Sequence, residues 1–208
     1  NLLGQGGTSV TDYADLMQRV AGAAGIASAT PTVYSQCLLQ SSGRQEPAVV
    51  KGVDPASVTT SEPALVEGSW EPFQAGTTPP SIVLGKDLAE ALVVSAGEFV
   101  RAVGLSGELS PLGQMARYQT FRVAGIFESG LWDYDAHWVL VPLEAAQNFA
   151  GLKSNEVSTI EFRLDDLYQA PQVADQIREL AGPGYTTSTW IELNRPLFSA
   201  LKLEKLAM

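Results

Sequence analysis

From Thr11 onward the apolar residues Tyr13, Leu16, Met17 and Val20 fall at i, i+3, i+4 and i+7. That spacing is one stripe of a helix, which Thr11 is placed to cap and Gly22 to end. Two strand-like stretches follow, 26–40 and 48–53, joined by the turn-rich Ser41, Ser42, Gly43 and Arg44, and they predict a hairpin. Residues 54–80 change character, because Pro55, Pro63, Pro72, Pro79 and Pro80 with Gly68 and Gly76 interrupt any period, so a connecting region is expected there. From Ser81 the pattern is regular again: a short strand into Gly85, a helix over 86–92 carrying Leu88, Ala91 and Leu92, and a β-rich stretch over 93–103. A second strand pair is expected at 119–127 and 137–141. Between these β stretches lies 104–118, where Gly107, Pro111 and Gly113 accompany Leu109, Leu112 and Met115, the composition of a long hairpin or loop tip.

The last third alternates through Ser158, Ile160, Phe162 and Leu164. It then takes helical spacing through Ala170, Val173, Ala174, Ile177 and Leu180 and returns to a strand over 185–190, a βαβ pattern. Over 192–208, Leu197, Phe198, Leu201 and Met208 share a helical stripe while Leu203 and Leu206 carry apolar character around the axis, as in a helix heading into a membrane or a large partner. Both chain ends therefore mix helix with strand and the middle is β-rich. The expected fold is α+β, one domain interrupted by another.

Composition narrows the function classes. Among 208 residues, 13 Lys+Arg against 23 Asp+Glu give a net charge of −10, which argues against nucleic-acid binding because phosphate neutralisation needs a basic face. Hydrophobic residues make up 45% and charged ones 17%, enough to build a core along most of the length. No apolar run approaches the ~18 residues needed to cross a bilayer. Because the chain begins at Asn1, without an initiator Met or a charged-then-apolar leader, it is expected to be a piece of a longer protein whose signal or membrane segment lies outside it.

Catalytic signatures are missing. The one histidine, His137, sits beside Trp138 in a strand-like run, and no Gly-x-Ser-x-Gly elbow, zinc spacing, dinucleotide fingerprint or phosphate loop occurs. Asp133, Asp135 and His137 are closely spaced donors, but they lack the glycine and distal glutamate of a calcium loop, so a solvated turn after Gly130 is expected. Asp165 and Asp166 precede the predicted helix, where carboxylates cap free amides. The single Cys37 lies in an alternating run and suits a buried apolar role. Neither a cofactor nor a metal is expected.

At the carboxyl end, Trp190, Asn194, Leu197, Phe198, Ala200, Leu201, Glu204, Lys205 and Met208 spell W-x3-N-x2-LF-x-AL-x2-EK-x2-M. This resembles the segment leading into the second transmembrane helix of LolC/LolE-type permeases, the lipoprotein-releasing ABC transporter subunits of the MacB/FtsX-like superfamily. Further matches are Asp12 and Tyr13; Gly52, Val53, Asp54 and Pro55; Leu84, Gly85, Leu88 and Ala89; Phe121, Val123, Gly125, Ile126 and Phe127; and Tyr134, Asp135, Pro142 and Leu143. The resemblance implies a periplasmic domain of an inner-membrane protein. In it a Porter-like βαβ subdomain made of 1–55 and 155–208 is interrupted by a β-rich Sabre-like insertion over 56–154.

It also implies a hook, a protruding hairpin before the Phe-x-Val-x-Gly-Ile strand, which falls here within 107–122. The implied partner-binding residues are Leu109, Pro111, Leu112, Gly113, Gln114, Met115, Ala116, Arg117, Tyr118 and Gln119. The implied partners are a periplasmic lipoprotein carrier of LolA-like type, lipoprotein cargo, a second permease subunit as hetero- or homodimer, and a separate cytoplasmic ATPase subunit. Residue chemistry agrees with docking: Leu112 and Met115 are flexible apolar contacts, and Arg and Tyr are enriched at hot spots. Residues 109–127 hold Arg117 and Arg122 with no acid, whereas 54–98 carry seven acids against Lys86, so a basic island is expected to orient a partner. Lys202 and Lys205 are placed near the membrane surface, where long basic stems reach headgroups. Two rival roles share the superfamily: a MacB-like mechanotransmission domain of a tripartite transporter, and an FtsX-like regulator of a cell-wall hydrolase.

Overall fold

In the computed structural model, which describes residues 1–57, 63–105, 108–110 and 113–193, the first apolar residues form β1 (Leu2–Gly4) and β2 (Val10–Thr11). Helix α1 (Tyr13–Val20) follows and buries Leu16 and Val20, two of the four residues of its expected stripe. Its start differs from expectation. Thr11 lies in β2, and Asp12 takes the cap position in a left-handed conformation (φ 49°), where its carbonyl accepts the first helical bond from Leu16 N at 3.1 Å. The chain then forms β3 (Ile26–Ser41), β4 (Arg44–Val53), β5 (Leu65–Gly68), β6 (Ser81–Gly85), α2 (Lys86–Leu92) and β7 (Phe99–Gly104). Next come β8 (Glu108–Ser110), β9 (Gly113–Met115), β10 (Tyr118–Phe127), α3 (Trp132–His137), β11 (Trp138–Pro142), α4 (Leu143–Ala150) and β12 (Glu156–Val157). The described chain ends with β13 (Thr159–Leu164), α5 (Ala170–Ala181), β14 (Tyr185–Thr187) and α6 (Trp190–Leu193).

These elements fall into two compact units, 1–30 with 158–208 and 31–157. The expectation from sequence groups the β3–β4 hairpin with the chain ends. In the structure most of that hairpin belongs to the second unit, because β3 pairs with β7 and β4 with β11.

In the first unit β1 is antiparallel to both β13 and β14, so those two strands run parallel and α5 is the crossover between them. This is the expected βαβ with a third strand inserted at its centre. Helix α5 buries Ala170, Val173, Ile177 and Ala181, and Leu180, expected on the same stripe, is 44% exposed instead. Arg19 donates to the Ala181 carbonyl at 3.4 Å and ties α1 to the end of α5.

In the second unit the strand pairings run in a closed circle: β3 to β4, β4 to β11, β11 to β6, β6 to β10, β10 to β7, and β7 back to β3. A ring of six strands leaves room inside only for side chains. Cys37, Leu39, Ala48, Val50, Val100, Ala102, Phe121 and Val123 are buried, at alternate positions along their strands. The β3–β4 hairpin turns in two residues, with Ser41 opposite Arg44 and positive φ at Ser42 (47°) and Gly43 (82°), the mirror-image turn that matches strand twist. Helix α4 packs against β4 at Gly52, where any Cβ would collide with Ala146, and its Phe149 ring meets Phe121 edge-on at 6.5 Å.

The proline-rich stretch that reads as a connection contributes to the core. Its β5 pairs with β10, and Phe73 is buried in a cluster with Val53, Val83, Ala124, Phe127 and Leu140, with Leu65 and Trp70 packed against it. Local pattern misses this because the partners of Trp70 and Phe73 are distant in sequence.

Cys37 is buried as expected, and desolvation pushes its thiol pKa up to about 12. Without thiolate or access it is expected to react with a thiol-directed reagent about a hundredfold more slowly in the folded protein than in urea. Native labelling at the unfolded rate would contradict this placement.

Candidate interaction ribbon

β7 and β10 are adjacent antiparallel strands, paired from Arg122↔Phe99 to Tyr118↔Val103, and their pairing continues one step further, as Gly104 N donates to Arg117 O at 2.8 Å. Leu105 N then donates to Gln36 O at 3.3 Å. Beyond Leu105, β8 and β9 pair with each other, Glu108↔Met115, Leu109↔Gln114 and Ser110↔Gly113, and among the described residues with no other strand. The candidate site is thus a two-stranded ribbon at the end of the β7–β10 hairpin, in the segment where the sequence resemblance places the hook.

The predicted residues separate into groups. Leu109, Gly113, Gln114 and Met115 lie on the ribbon strands, whereas Pro111, Leu112, Lys202 and Lys205 lie outside the described residues. At the root, Tyr118 is 66% exposed and Leu105 is 55% exposed, while Ala116 and Gln119 are half-buried. Arg117 turns back onto the unit. Its guanidinium donates to the Asn148 carbonyl at 3.0 Å and covers Gly151, the left-handed residue (φ 74°) that ends α4. A cation at a helix C-terminus satisfies carbonyls that the helix leaves open. Arg117→Ala is therefore expected to lower stability by about 1–2 kcal/mol, read as a shifted urea midpoint, and no shift would show the contact to be incidental.

The turn after β10 departs from its expected solvated form. Residues 132–137 are helix α3, so His137 ends a helix rather than lying in a strand, and its Nδ1 is 3.3 Å from Asp133 Oδ1. Asp135 is only 5% exposed. Its Oδ1 accepts from Ser129 N at 2.8 Å and Ser129 Oγ at 2.7 Å, and its Oδ2 accepts from Gly130 N at 3.1 Å. Burial raises the Asp135 pKa, but these three hydrogen bonds and the Lys86 charge outweigh it and hold the carboxyl below its usual value. Gly85 makes the approach possible, since a Cβ there would meet the Asp135 backbone. The clamped loop presents Leu131 and Trp132 at 67% and 71% exposure, a feature the sequence reading did not single out. Asp133, Asp135 and His137 do not converge, and among the described residues no group of three His, Cys, Asp or Glu side chains is placed to hold a metal ion. Asp165 and Asp166 do not cap α5 as expected: its N-cap residue is Gln169, with no side-chain cap, and Asp166 instead accepts from Tyr168 N at 2.9 Å in the turn that precedes the helix.

The fold is that of extracytoplasmic transporter domains. It is similar to the extracellular domain of the noncanonic ABC-type transporter YknZ from Gram-positive bacteria, with a TM-score of 0.62 at 14% identity over 90% of this chain and 98% of that one. It is also similar to the periplasmic region of MacB from Actinobacillus actinomycetemcomitans, with a TM-score of 0.59 at 12% identity over 94% of this chain and 90% of that one. In sequence, the chain is 33% identical over 187 residues to the lipoprotein-releasing system transmembrane protein LolC of Xylella fastidiosa (strain Temecula1), covering 88% of this chain and 44% of that protein. Against LolC of Neisseria meningitidis serogroup B the identity is 28% over 202 residues, 95% of this chain and 48% of the relative. The chain thus spans less than half the length of these relatives. Residues 3–180 match the MacB-like periplasmic core domain, and the chain belongs to that family as a periplasmic domain of LolC/LolE type. Among the described residues no helix is long and apolar enough to cross a membrane.

Proposed function

We propose that this domain serves a permease that releases lipoproteins from the inner membrane and passes them to a soluble periplasmic carrier, which docks on the ribbon of β8 and β9. The observation that carries the reading is the pairing Glu108↔Met115, Leu109↔Gln114 and Ser110↔Gly113, immediately before the Phe121-x-Val123-x-Gly125-Ile126 strand of a chain 33% identical to a LolC. Leu109, Pro111, Leu112, Gly113, Gln114 and Met115 make the principal contact, Tyr118 and Gln119 border it, and Arg117 braces its root. In this account ATP is hydrolysed on a separate cytoplasmic subunit, a second permease subunit completes the transporter, and the Porter-like part moves with the membrane helices beneath it. A MacB-like force-transmitting role is the second reading, and similarity to the MacB periplasmic region favours it. Calorimetry of the 208-residue chain with the lipoprotein carrier of the same organism separates the two. Binding is expected, and it should vanish when Leu109, Leu112 and Met115 are replaced by Ser. Arg117 is left in place because its loss disturbs α4. No binding by the unaltered chain would favour the second reading.

A further inference from the structure

Two strands that pair only with each other do not fix their own direction, so whatever holds the root decides where the ribbon of β8 and β9 points. Among the described residues β8 and β9 bond to no other strand, and only Ala116 separates Met115, the last residue of β9, from Arg117. Arg117 is held at both backbone and side chain. Its carbonyl accepts from Gly104 N at 2.8 Å, which continues the β7–β10 pairing, and its guanidinium donates to Asn148 O at 3.0 Å and lies over Gly151. Gly151 makes room for it, since a Cβ at that position would collide with the guanidinium. The same end of α4 is tied on its other side. Gln147 is only 5% exposed, and its Nε2 donates to Ser154 O at 3.1 Å and Glu156 O at 2.9 Å, while its carbonyl accepts from Leu152 N at 2.9 Å. Glu156 N donates to Lys153 O at 3.0 Å and closes the turn. The next residue, Val157, is fully buried and is the last of this unit, the chain passing into the first unit at Ser158.

We infer that the C-terminal end of α4 is a bracket that sets the direction of the ribbon from the segment by which the chain leaves this unit. Arg117 joins the ribbon root to one side of the bracket and Gln147 joins 154–156 to the other, so a displacement of 154–157 carries the ribbon root with it. Two physical arguments support this. A buried amide that donates to two carbonyls of one turn holds that turn in place, because any slippage leaves buried donors and acceptors unpaired. A guanidinium is planar with its donors in a rigid fork, so seated on a helix end it fixes a direction as well as a distance. Arg117 is in this sense a positioning residue, acting on the ribbon through its root and not as a contact for a partner. The inference concerns how the ribbon is held and stands apart from which partner docks on it.

The test is a pulsed electron–electron distance measurement on the 208-residue chain, with nitroxide labels attached through Gln114→Cys on β9 and Glu90→Cys on α2. Cys37 is buried and stays unlabelled. Three variants are compared: Arg117→Ala; Gly151→Ala, which pushes the guanidinium aside while leaving Arg117 in place; and Gln147→Ala. The expected result is one narrow distance distribution without them and a distribution at least twice as wide with each. Arg117→Lys, which restores a donor for Asn148 O but not the planar cover over Gly151, should fall between. A second label pair at Glu90 and Thr77, both exposed and within the same unit, reads general loosening and should keep its width throughout. An unchanged width from position 114 in Arg117→Ala and Gly151→Ala would overturn the inference. Broadening in Arg117→Ala that Gln147→Ala does not share would overturn the link to 154–157. Equal broadening of both label pairs would reduce Arg117 to a stability contact and overturn its positioning role.

Discussion

Phe127→Ala is expected to lower the unfolding free energy by about 3–5 kcal/mol, the usual cost of truncating a fully buried aromatic. Phe127 is completely buried at the end of β10, within the cluster of Val53, Phe73, Val83, Ala124 and Leu140, and its ring lies 5.7 Å from that of Tyr134. Five stretches besides β10 join this cluster, β4, the proline-rich 63–80, β6, α3 and β11, so little of the resulting void can be filled by local relaxation. Against a typical stability of about 5–15 kcal/mol the loss is large. Urea unfolding followed by circular dichroism measures it. A midpoint close to that of the unaltered chain would mean that 63–80 does not close over the core.

The second large effect is expected at Asp135. In Asp135→Asn one carboxylate oxygen becomes an NH2 group, leaving at least one of the three donors, Ser129 N, Ser129 Oγ or Gly130 N, facing another donor. A buried donor left unpaired, together with a lost charged acceptor, costs about 2–3 kcal/mol. The effect depends on pH with a fixed sign. Burial raises the Asp135 pKa, the hydrogen bonds from Ser129 and Gly130 and the Lys86 charge lower it, and the folded value lies below the usual one. A carboxylate of this kind contributes its stabilisation in full above the unfolded-chain value near ~3.9, and that contribution is lost as pH falls through the folded value. The stability gap between the unaltered chain and Asp135→Asn should therefore be widest near neutral pH and narrow in acid. A gap that is constant with pH would show that Asp135 acts through its shape and not through its charge.

Local sequence pattern was informative wherever a structure is made by neighbours along the chain. The Tyr13-to-Val20 stripe marks α1, the Ser-Ser-Gly-Arg turn marks the two-residue hairpin, and the alternation through Ile160 and Phe162 followed by helical spacing marks the βαβ crossover. Closure of six strands was not legible, since it depends on β7 pairing on both its edges. The burial of Phe73 and Trp70 was hidden for the same reason. Within the candidate site, Gly107, Pro111 and Gly113 with their apolar companions pointed to a hairpin tip. Arg117 read as a docking cation because nothing in the sequence relates it to Asn148 and Gly151. Asp135 offered one usable signal, a Ser-Gly pair six and five residues before an acid, the spacing of a loop folded back onto its own carboxylate.

The central claim, that the ribbon of β8 and β9 receives a lipoprotein carrier, is tested most directly by a photoreactive amino acid at Gln114 of the full-length permease in living cells. A crosslink to the carrier from position 114, absent from an otherwise identical probe at Tyr168 on the other unit, is the result this account predicts. Crosslinks from position 114 only to an outer-membrane channel or its adaptor would contradict it.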